Sequence, residues 1–342
     1  MRVTGTCASR RRVSRTCVSP ARVPPARVSS VRRKDQEARE TPETRTETDR
    51  NSSYGLPMTK NTSQTVLVTG ATGTVGRQVV AELLRRGHTV RALTRDPEKA
   101  RTGLLSRFPS GVDVVRGDLT DPASLAPALD GVTGLHLITF GGASFASLET
   151  GPEIVELARE AGVRRVTVLF GGEETPLQRA VEASGLDWTV VQPVEFMSNA
   201  LEWAEAIRTE DTVREPFTGR LSVMVHEADI GAVAAVALTE EGHAARTYLI
   251  TGPEVLTLQD KVDALAAARG REITLVELSE ETARQRWRAA GHPEDLIDFL
   301  IMVYRDTPPE GRTVVGTVEE VTGRPARTFA EWAAEHASEF RA

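Results

Sequence analysis

Short apolar runs alternate with longer stretches of periodic apolar residues from about residue 64 onward. The first run, residues 66–69, has the composition of a strand buried in a parallel sheet. Beyond a glycine-rich turn, Val75, Val79 and Leu83 recur four residues apart until Gly87, which predicts an amphipathic helix that ends there. A second apolar run, residues 88–95, follows. Strand, helix and strand together predict a βαβ unit.

The same alternation continues to residue 191. It predicts further strands at residues 112–115, 135–140, 166–170 and 188–191, and helices at residues 154–161 and 176–184. Strands that alternate with helices of about ten residues indicate an α/β fold with a doubly wound parallel sheet.

Beyond Pro193 the pattern loosens. It predicts extended segments at residues 221–225 and 248–251, and helices at residues 199–207, 229–238 and 258–268. Residues 296–304 form a helix whose apolar face is wider than a simple stripe. Two interpretations stay open for it: it closes over a pocket, or it packs on the main domain.

Three glycines separate the first strand from the first helix, in a Gly-x-x-Gly-x-x-Gly pattern. Gly70 makes the tight turn, Gly73 leaves room for a pyrophosphate, and Gly76 lets the helix pack closely on the strand. The helix N-terminus adds unpaired N–H groups and the positive end of its dipole. In this βαβ context, the pattern predicts a dinucleotide-binding Rossmann-type fold.

The end of the second strand distinguishes NADPH from NADH. NAD-preferring proteins place an acidic residue there to bind the ribose hydroxyls. This chain places Arg95 first and Asp96 behind it, with Lys99 one turn further on. A guanidinium suits the 2′-phosphate of NADPH, so we expect NADP(H) as the cofactor. The alternative is that Arg95 is a solvated charge at the strand end.

Charge is distributed unevenly along the chain. Residues 1–57 hold 13 of the 42 Lys and Arg but 6 of the 48 Asp and Glu, which leaves a net charge of −13 on the remainder. A body this acidic is a poor match for nucleic acid. No apolar run is long enough to span a membrane. We expect a cytoplasmic protein, a monomer or homodimer, whose partner is a small molecule.

Residues 1–57 are rich in Arg, Ser, Thr and Pro and show no apolar periodicity, which predicts a disordered extension. It also resembles a transit peptide faintly, and the simplest alternative is an over-extended start, with the working protein beginning at Met58. Cys7 and Cys17 both lie here, so the remainder offers no cysteine nucleophile or zinc cluster, and we expect no metal. We expect an NAD(P)-binding domain at residues 58–195. A smaller α/β substrate-binding region, interleaved with returning sheet elements, follows at 196–342.

Several motifs together resemble the NmrA-like branch of the atypical short-chain dehydrogenases, over about residues 64–340. They are the unit at 66–95, Gly117-Asp118-Leu119, Ser184-Gly185-Leu186-Asp187-Trp188, Phe196-Met197-Ser198-Asn199, Ala228-Asp229-Ile230 and Tyr248-Leu249-Ile250-Thr251-Gly252-Pro253. That branch includes type 2 quinone oxidoreductases, triphenylmethane and azo-dye reductases, and redox-sensing regulators.

The resemblance implies a complete set of cofactor-binding residues. The pyrophosphate would be held by Gly70, Thr72, Gly73, Thr74, Val75 and Gly76, and the 2′-phosphate by Arg95. Asp118 and Leu119 would border the adenine, Thr139 and Phe140 would lie along the ribose, and Pro193 and Phe196 would lie near the nicotinamide. It implies no particular substrate.

The catalytic pair of most short-chain dehydrogenases is missing. In that pair, Tyr-x-x-x-Lys, the tyrosine protonates the substrate oxygen and the lysine lowers its pKa. The tyrosines here are Tyr54, Tyr248 and Tyr304, and none has a lysine four residues later. We therefore leave the catalytic residues unassigned. Reduction of a quinone or a cationic dye needs no such acid, because its product is stabilised and takes a proton from water.

Other polar residues are weaker candidates. His226, Glu227 and Asp229 resemble a metal or acid–base cluster, but the expected arrangement is that Asp229 caps the following helix and His226 lies in the loop. His136, within a predicted strand, is expected to be a core residue.

Three functions remain open. The first is an NADPH-dependent reductase that transfers hydride directly to a quinone-like or other conjugated aromatic acceptor. The second is a non-catalytic NADP(H) sensor that binds a protein partner. The third is a tailoring reductase of a polycyclic aromatic natural product. Turnover of NADPH with a quinone separates the enzymes from the sensor.

Overall fold

The computed structural model describes residues 63–103, 112–141, 146–170 and 174–341, so the predicted extension at residues 1–57 lies outside the described residues. The strands, in chain order, are β1 (Thr65–Val68), β2 (Thr89–Thr94), β3 (Val112–Arg116), β4 (Gly134–Ile138), β5 (Phe140–Gly141), β6 (Ala146–Ser147), β7 (Arg165–Leu169), β8 (Asp187–Pro193), β9 (Glu195–Phe196), β10 (Thr212–Pro216), β11 (Leu221–Ser222), β12 (Met224–Val225), β13 (Arg246–Ile250), β14 (Leu256–Thr257) and β15 (Thr274–Leu278). Seven of these described strands form one sheet, in the order β13-β8-β7-β4-β1-β2-β3. All its pairings are parallel, so the predicted α/β fold is confirmed.

Helices follow most strands of the sheet. They are α1 (Gly76–Arg85), α2 (Pro97–Thr102), α3 (Ala126–Leu129), α4 (Gly151–Glu160), α5 (Pro176–Ala183), α6 (Ala204–Glu210), α7 (Glu227–Thr239), α8 (Leu258–Arg269), α9 (Glu280–Ala289), α10 (Glu294–Arg305), α11 (Thr317–Thr322) and α12 (Phe329–Glu335). Short 3₁₀ helices cover residues 122–125, 197–203, 309–312 and 337–340. No helix among the described residues is long and apolar enough to cross a bilayer.

Two cores cover the two faces of the sheet. Side chains alternate along β1: Val66 and Val68 belong to the core under α1 and α7, and Leu67 to the core under α4 and α5. Helix α7 approaches α1 very closely, because a Cβ at Gly231 would stand 2.7 Å from the Cβ of Gln78. This contact explains an Ala/Val-rich helix that is buried along nearly its whole length.

A third core lies in the C-terminal half, around Phe329, Trp332 and Phe340, with Ile207 and Leu265 packed among them. Beside it, β10 and β15 form a small parallel sheet of their own, which the sequence pattern does not predict. Helix α9 is also missing from the prediction, because its residues are mostly polar and exposed.

Some predicted elements are interrupted. The strand expected at 135–140 ends at Ile138. Thr139 O instead accepts a hydrogen bond from Leu148 N (3.1 Å), next to the antiparallel pairing of β5 with β6. The segment expected at 221–225 breaks at Val223, whose N–H donates to Gly311 O (2.8 Å). Tertiary hydrogen bonds decide both breaks, so local sequence does not show them.

The N-terminus of α7 corrects another expectation. His226, not Asp229, occupies the N-cap position, and its Nδ1 accepts a hydrogen bond from Ala228 N (3.0 Å). Asp229 lies within the first turn and pairs with Arg327 instead. Glu227 accepts a hydrogen bond from Ser198 N (2.6 Å). All three polar side chains therefore have structural partners.

Candidate functional site

The strand order reverses beside β1, which pairs with β2 on one side and β4 on the other. Chain connections leave β1 and β4 in opposite directions, so a crevice opens between their carboxyl ends. Gly70, in this crevice, has φ +60°, and a Cβ there would stand 3.1 Å from Ile138 Cγ2 at the end of β4. Ligands of open α/β sheets bind at such a position.

The other two glycines of the turn have different surroundings. A Cβ at Gly76 would lie 2.1 Å from Gly70 O, so this glycine is required by packing within the turn. A Cβ at Gly73 would meet just one described atom within 4 Å, Gly70 O at 3.1 Å, and Gly73 N donates to that same oxygen (2.8 Å). The turn is therefore closed at Gly76, whereas at Gly73 a single backbone oxygen makes a tight contact and no second described atom lies within 4 Å.

The N-terminus of α1 has no side-chain cap, but Arg77 N and Gln78 N already donate to Gly73 O (3.2 Å) and Val75 O (2.9 Å), which leaves the N–H groups of Val75 and Gly76 for a ligand. Val75 stands at the N-cap, provides no side-chain hydrogen bond, and is buried, and the first turn contains no acidic residue. Thr72 and Thr74, half-buried in the same turn, add hydroxyl groups. Unpaired N–H groups and the positive dipole end make this terminus suitable for an anion such as pyrophosphate.

Arg95 and Asp96 lie in the turn after β2 and differ in their contacts. Asp96 Oδ1 accepts a hydrogen bond from Lys99 N (3.0 Å) and thereby caps α2. Arg95 is exposed. The bonds from the Thr120 N–H and hydroxyl, together with the charge of Arg95, lower the pKa of Asp118 against the opposing effect of burial. Arg95 thus supplies positive charge near the end of β3.

The remaining predicted residues follow the ends of β3, β4 and β8. Leu119 is buried, and its carbonyl accepts a hydrogen bond from Thr150 Oγ1 (2.6 Å). Thr139 is buried and Phe140 half-buried just beyond β4. Pro193 ends β8, and Phe196 lies in β9, paired with Val225. All thirteen predicted residues therefore lie at one edge of the sheet, where the carboxyl ends of its parallel strands meet. Their contacts with a nucleotide stay a prediction.

A buried ion pair, which the sequence interpretation missed, lies directly beside Phe196. Lys261 is 1 % exposed, and its Nζ lies 3.2 Å from Glu195 Oε2 and 2.6 Å from Ser222 Oγ. Burial acts to raise the pKa of Glu195, but the charges of Lys261 and Arg220 and the hydrogen bond with Ser222 together outweigh it, and the pKa is lowered. The available signal was a lysine on the apolar face of α8, in register with Leu258 and Leu265.

The described tyrosines, and His136 in β4, all contact other side chains of the fold. Tyr248 Oη lies 2.8 Å from His243 Nδ1, and Arg220 stacks over the Tyr304 ring at 3.9 Å from its centroid. His136 is fully buried, with Nδ1 2.8 Å from Thr167 Oγ1, and burial lowers its pKa to about 4. It is the core residue that was expected.

Known proteins are similar to this chain over most of the described residues. The sequence profile of the NmrA-like family matches residues 62–169. The (4-alkanoyl-5-oxo-2,5-dihydrofuran-3-yl)methyl phosphate reductase of Streptomyces griseus is 38 % identical over 291 residues, which cover 80 % of this chain and 99 % of that protein. The NAD(P)H azoreductase of Xenophilus azovorans is also 38 % identical over 291 residues, covering 81 % and 99 %.

Among solved structures, the NADPH complex of an NADPH-dependent quinone oxidoreductase from Escherichia coli matches with a TM-score of 0.65 and 24 % identity, covering 79 % of this chain and 99 % of that one. Triphenylmethane reductase from Citrobacter sp., complexed with NADP(H), matches with a TM-score of 0.64 and 22 % identity, covering 80 % and 99 %. These two likenesses show the fold. The identity and coverage of the two reductases, with the glycine turn at the switch point of the sheet, place the chain in the NmrA-like family.

Proposed function

We propose that this chain is an NADPH-dependent reductase that acts on a conjugated acceptor, quinone-like or aromatic, by direct hydride transfer. The observation that carries the cofactor half is the turn at Gly73. A Cβ at this glycine would contact just one described atom, Gly70 O, the N-terminus of α1 has no side-chain cap, and Arg95 is exposed at the end of the neighbouring strand. These features fit a pyrophosphate and a 2′-phosphate.

Bound NADPH supplies a hydride, and the chain's task is to hold it against an acceptor and exclude competing reactions. We assign this role to Pro193 and Phe196, which is supported by their location at the end of β8 and in β9. The hydride and one proton convert a quinone to a hydroquinone, while NADPH leaves as NADP⁺. The proton comes from water, because a hydroquinone anion is a weak base.

The tyrosines support a mechanism without a hydroxyl acid. Burial raises the pKa of Tyr304, whereas a catalytic tyrosine needs a lowered one. Tyr248 lies on β13, an edge strand of the sheet, and its hydroxyl is hydrogen-bonded to His243. The names of the two 38 % identical relatives, a dihydrofuran reductase and an azoreductase, support a reductase of conjugated compounds.

The test is NADPH oxidation, followed by absorbance, with 1,4-naphthoquinone, an azo dye and a polycyclic aromatic ketone as acceptors. We expect multiple turnovers with the quinone or the dye and none with the ketone. Tight NADPH binding with no turnover on any acceptor would favour the sensor alternative. The tailoring alternative would show as turnover restricted to polycyclic ketones.

Tyr304→Phe provides a matched test of the mechanism, with Tyr248→Phe as its control. Both variants should keep turnover within about threefold of the parent chain, since no barrier-lowering proton transfer is removed. A loss of orders of magnitude in Tyr304→Phe alone, with NADPH binding unchanged, would show that a hydroxyl acid operates.

A further inference from the structure

A cavity of about 420 Å³ lies between the 3₁₀ helix at 197–203, strand β10 and helix α9. Two indole side chains, Trp203 and Trp287, line it, together with apolar residues that include Val213, Leu278 and Ala283. We call this space the tryptophan cavity. Its size and aromatic lining fall within the range of small-molecule sites.

Both indoles are held by one chain of contacts centred on Glu215. Trp203 Nε1 donates to Glu215 Oε1 (2.9 Å), and Glu215 Oε2 lies 3.4 Å from Arg220 Nη2. Arg220 stacks on Tyr304, and the Tyr304 ring meets Trp287 edge-on, at 5.9 Å between centroids and 74° between planes. The Arg220 side chain is 5 % exposed and that of Glu215 is 14 % exposed. The two aromatic walls are therefore fixed by a largely buried ion pair before any ligand arrives.

The rim of the cavity carries both signs of charge. Glu202 and Arg286 contribute one each, and Arg286 Nη1 donates to Arg214 O (3.1 Å). The guanidinium of Arg214 is paired with Glu210. A strongly charged ligand would meet a like charge at this rim. A flat, uncharged ring with carbonyl or hydroxyl groups would stack on an indole and hydrogen-bond to the rim.

One short element connects the cavity with the predicted nicotinamide position, because the 3₁₀ helix ends at Trp203 in the cavity wall. The 3₁₀ helix that forms one wall begins at Met197, directly after Phe196. Met197, at the start of this helix, belongs to the same core as Val213 of the cavity wall, and Trp203 packs against that core. A ligand in the cavity would thus be separated from Phe196 by this helix.

We propose that the tryptophan cavity binds the acceptor, and that it selects flat, uncharged aromatic rings with carbonyl groups. This inference rests on the proposed function, because it takes the cavity ligand to be the compound that is reduced. The probe is 1,4-naphthoquinone, and two measurements are needed: quenching of tryptophan fluorescence without cofactor, and the KM in NADPH oxidation.

Trp287→Ala should weaken 1,4-naphthoquinone binding and raise its KM by about tenfold, since a stacking surface is lost. Trp287→Phe, which keeps a ring, should recover most of that loss. The matched control is Trp188→Phe in β8, outside the cavity, which should change neither value. The NADPH Kd should stay within about twofold in all three, which also shows that each variant is folded; if Trp287→Ala does not fold, Trp287→Leu replaces it.

The outcomes separate the two proposals. Turnover with a KM that is unchanged in Trp287→Ala or its replacement would overturn the cavity as the acceptor site and leave the reductase intact. Quenching that depends on Trp287, with no NADPH oxidation, would overturn the reductase and identify the cavity as a binding site alone. Quenching equal in the parent chain and Trp287→Ala would overturn the cavity assignment in either case.

Discussion

Gly73 and Gly76 lie three residues apart, yet substitution should affect mainly NADPH affinity at Gly73 and mainly stability at Gly76. Gly73→Ala places a Cβ 3.1 Å from Gly70 O and near no other described atom, so a small shift should accommodate it and stability should fall little, while NADPH affinity falls at least tenfold. Isothermal titration with NADPH and a melting curve measure the two effects. An unchanged affinity would mean that the pyrophosphate does not approach Gly73.

Gly76→Ala serves as the contrasting variant. Its Cβ would lie 2.1 Å from Gly70 O, so the turn must distort and the melting temperature should fall clearly. Equal melting temperatures for the two variants would contradict this division of roles.

Arg95 should determine the choice between cofactors. Charge-assisted hydrogen bonds to a phosphate are worth about 1.5–3 kcal/mol each, so Arg95→Ala should weaken NADPH about tenfold to a hundredfold. NADH lacks that phosphate, so its affinity should hardly change. Loss of Arg95 should not free Asp96 for the ribose of NADH either, because the Asp96 carboxylate still caps α2. Arg179→Ala, an exposed arginine on α5, is the control. An equal loss of affinity for both cofactors would mean that Arg95 does not bind the 2′-phosphate and is a solvated surface charge.

Residue roles were predictable where neighbours in sequence decide them. The glycine turn and Arg95 are local, so their spacing alone indicates a dinucleotide site. The N-cap of α7 was assigned wrongly, because Asp and His side chains can both accept from the first turn. The deciding contact is Asp229 with Arg327, 98 residues away. Lys261 and Glu195 are separated by 66 residues, and no local pattern links them.

At the scale of elements, α8 is fastened to β9 by the Lys261–Glu195 pair. Lys261→Met leaves a buried carboxylate without its cation, which should lower the free energy of unfolding by about 3–5 kcal/mol. Urea denaturation measures this loss. Adding Glu195→Gln should cost less than the sum of the two single changes, since neither charge then remains unpaired. Full additivity would show that the two groups do not interact.

Elements of the central sheet were predictable because they are buried on both faces, which produces continuous apolar runs. Strands β10 and β15 were not predicted, because Arg214 and Glu277 interrupt their apolar residues and only one face of the pair is covered. Helix α9 carries its single buried residue, Ala283, among charged neighbours. The elements that form the cavity walls were therefore the ones that the sequence pattern predicted least well.

For the whole molecule, His136 predicts how stability depends on pH. Its pKa is about 4 when folded and about 6.5 in an unfolded chain. Between these values the unfolded state binds a proton that the folded state does not. His136 therefore lowers the free energy of unfolding as the pH falls from 6.5 to 4, by about 3 kcal/mol in total.

The double variant His136→Leu/Thr167→Val removes both partners of the buried hydrogen bond and should flatten this part of the pH profile. Thr167→Val alone keeps the histidine and should keep the slope. Chemical denaturation at pH 7, 5.5 and 4.5 makes the comparison. Parallel profiles for the parent chain and the double variant would show that folding does not lower the pKa of His136.

The third core has a practical consequence for engineering. The glycine turn rests on the two cores of the central sheet, whereas β10 and its surroundings pack on the separate core around Trp332. Residues 274–290, which carry β15 and α9, are thus suited to exchange between relatives as a cassette. NADPH affinity would serve as the internal standard for correct folding in such chimeras, and any change in acceptor range would be attributable to the exchanged segment.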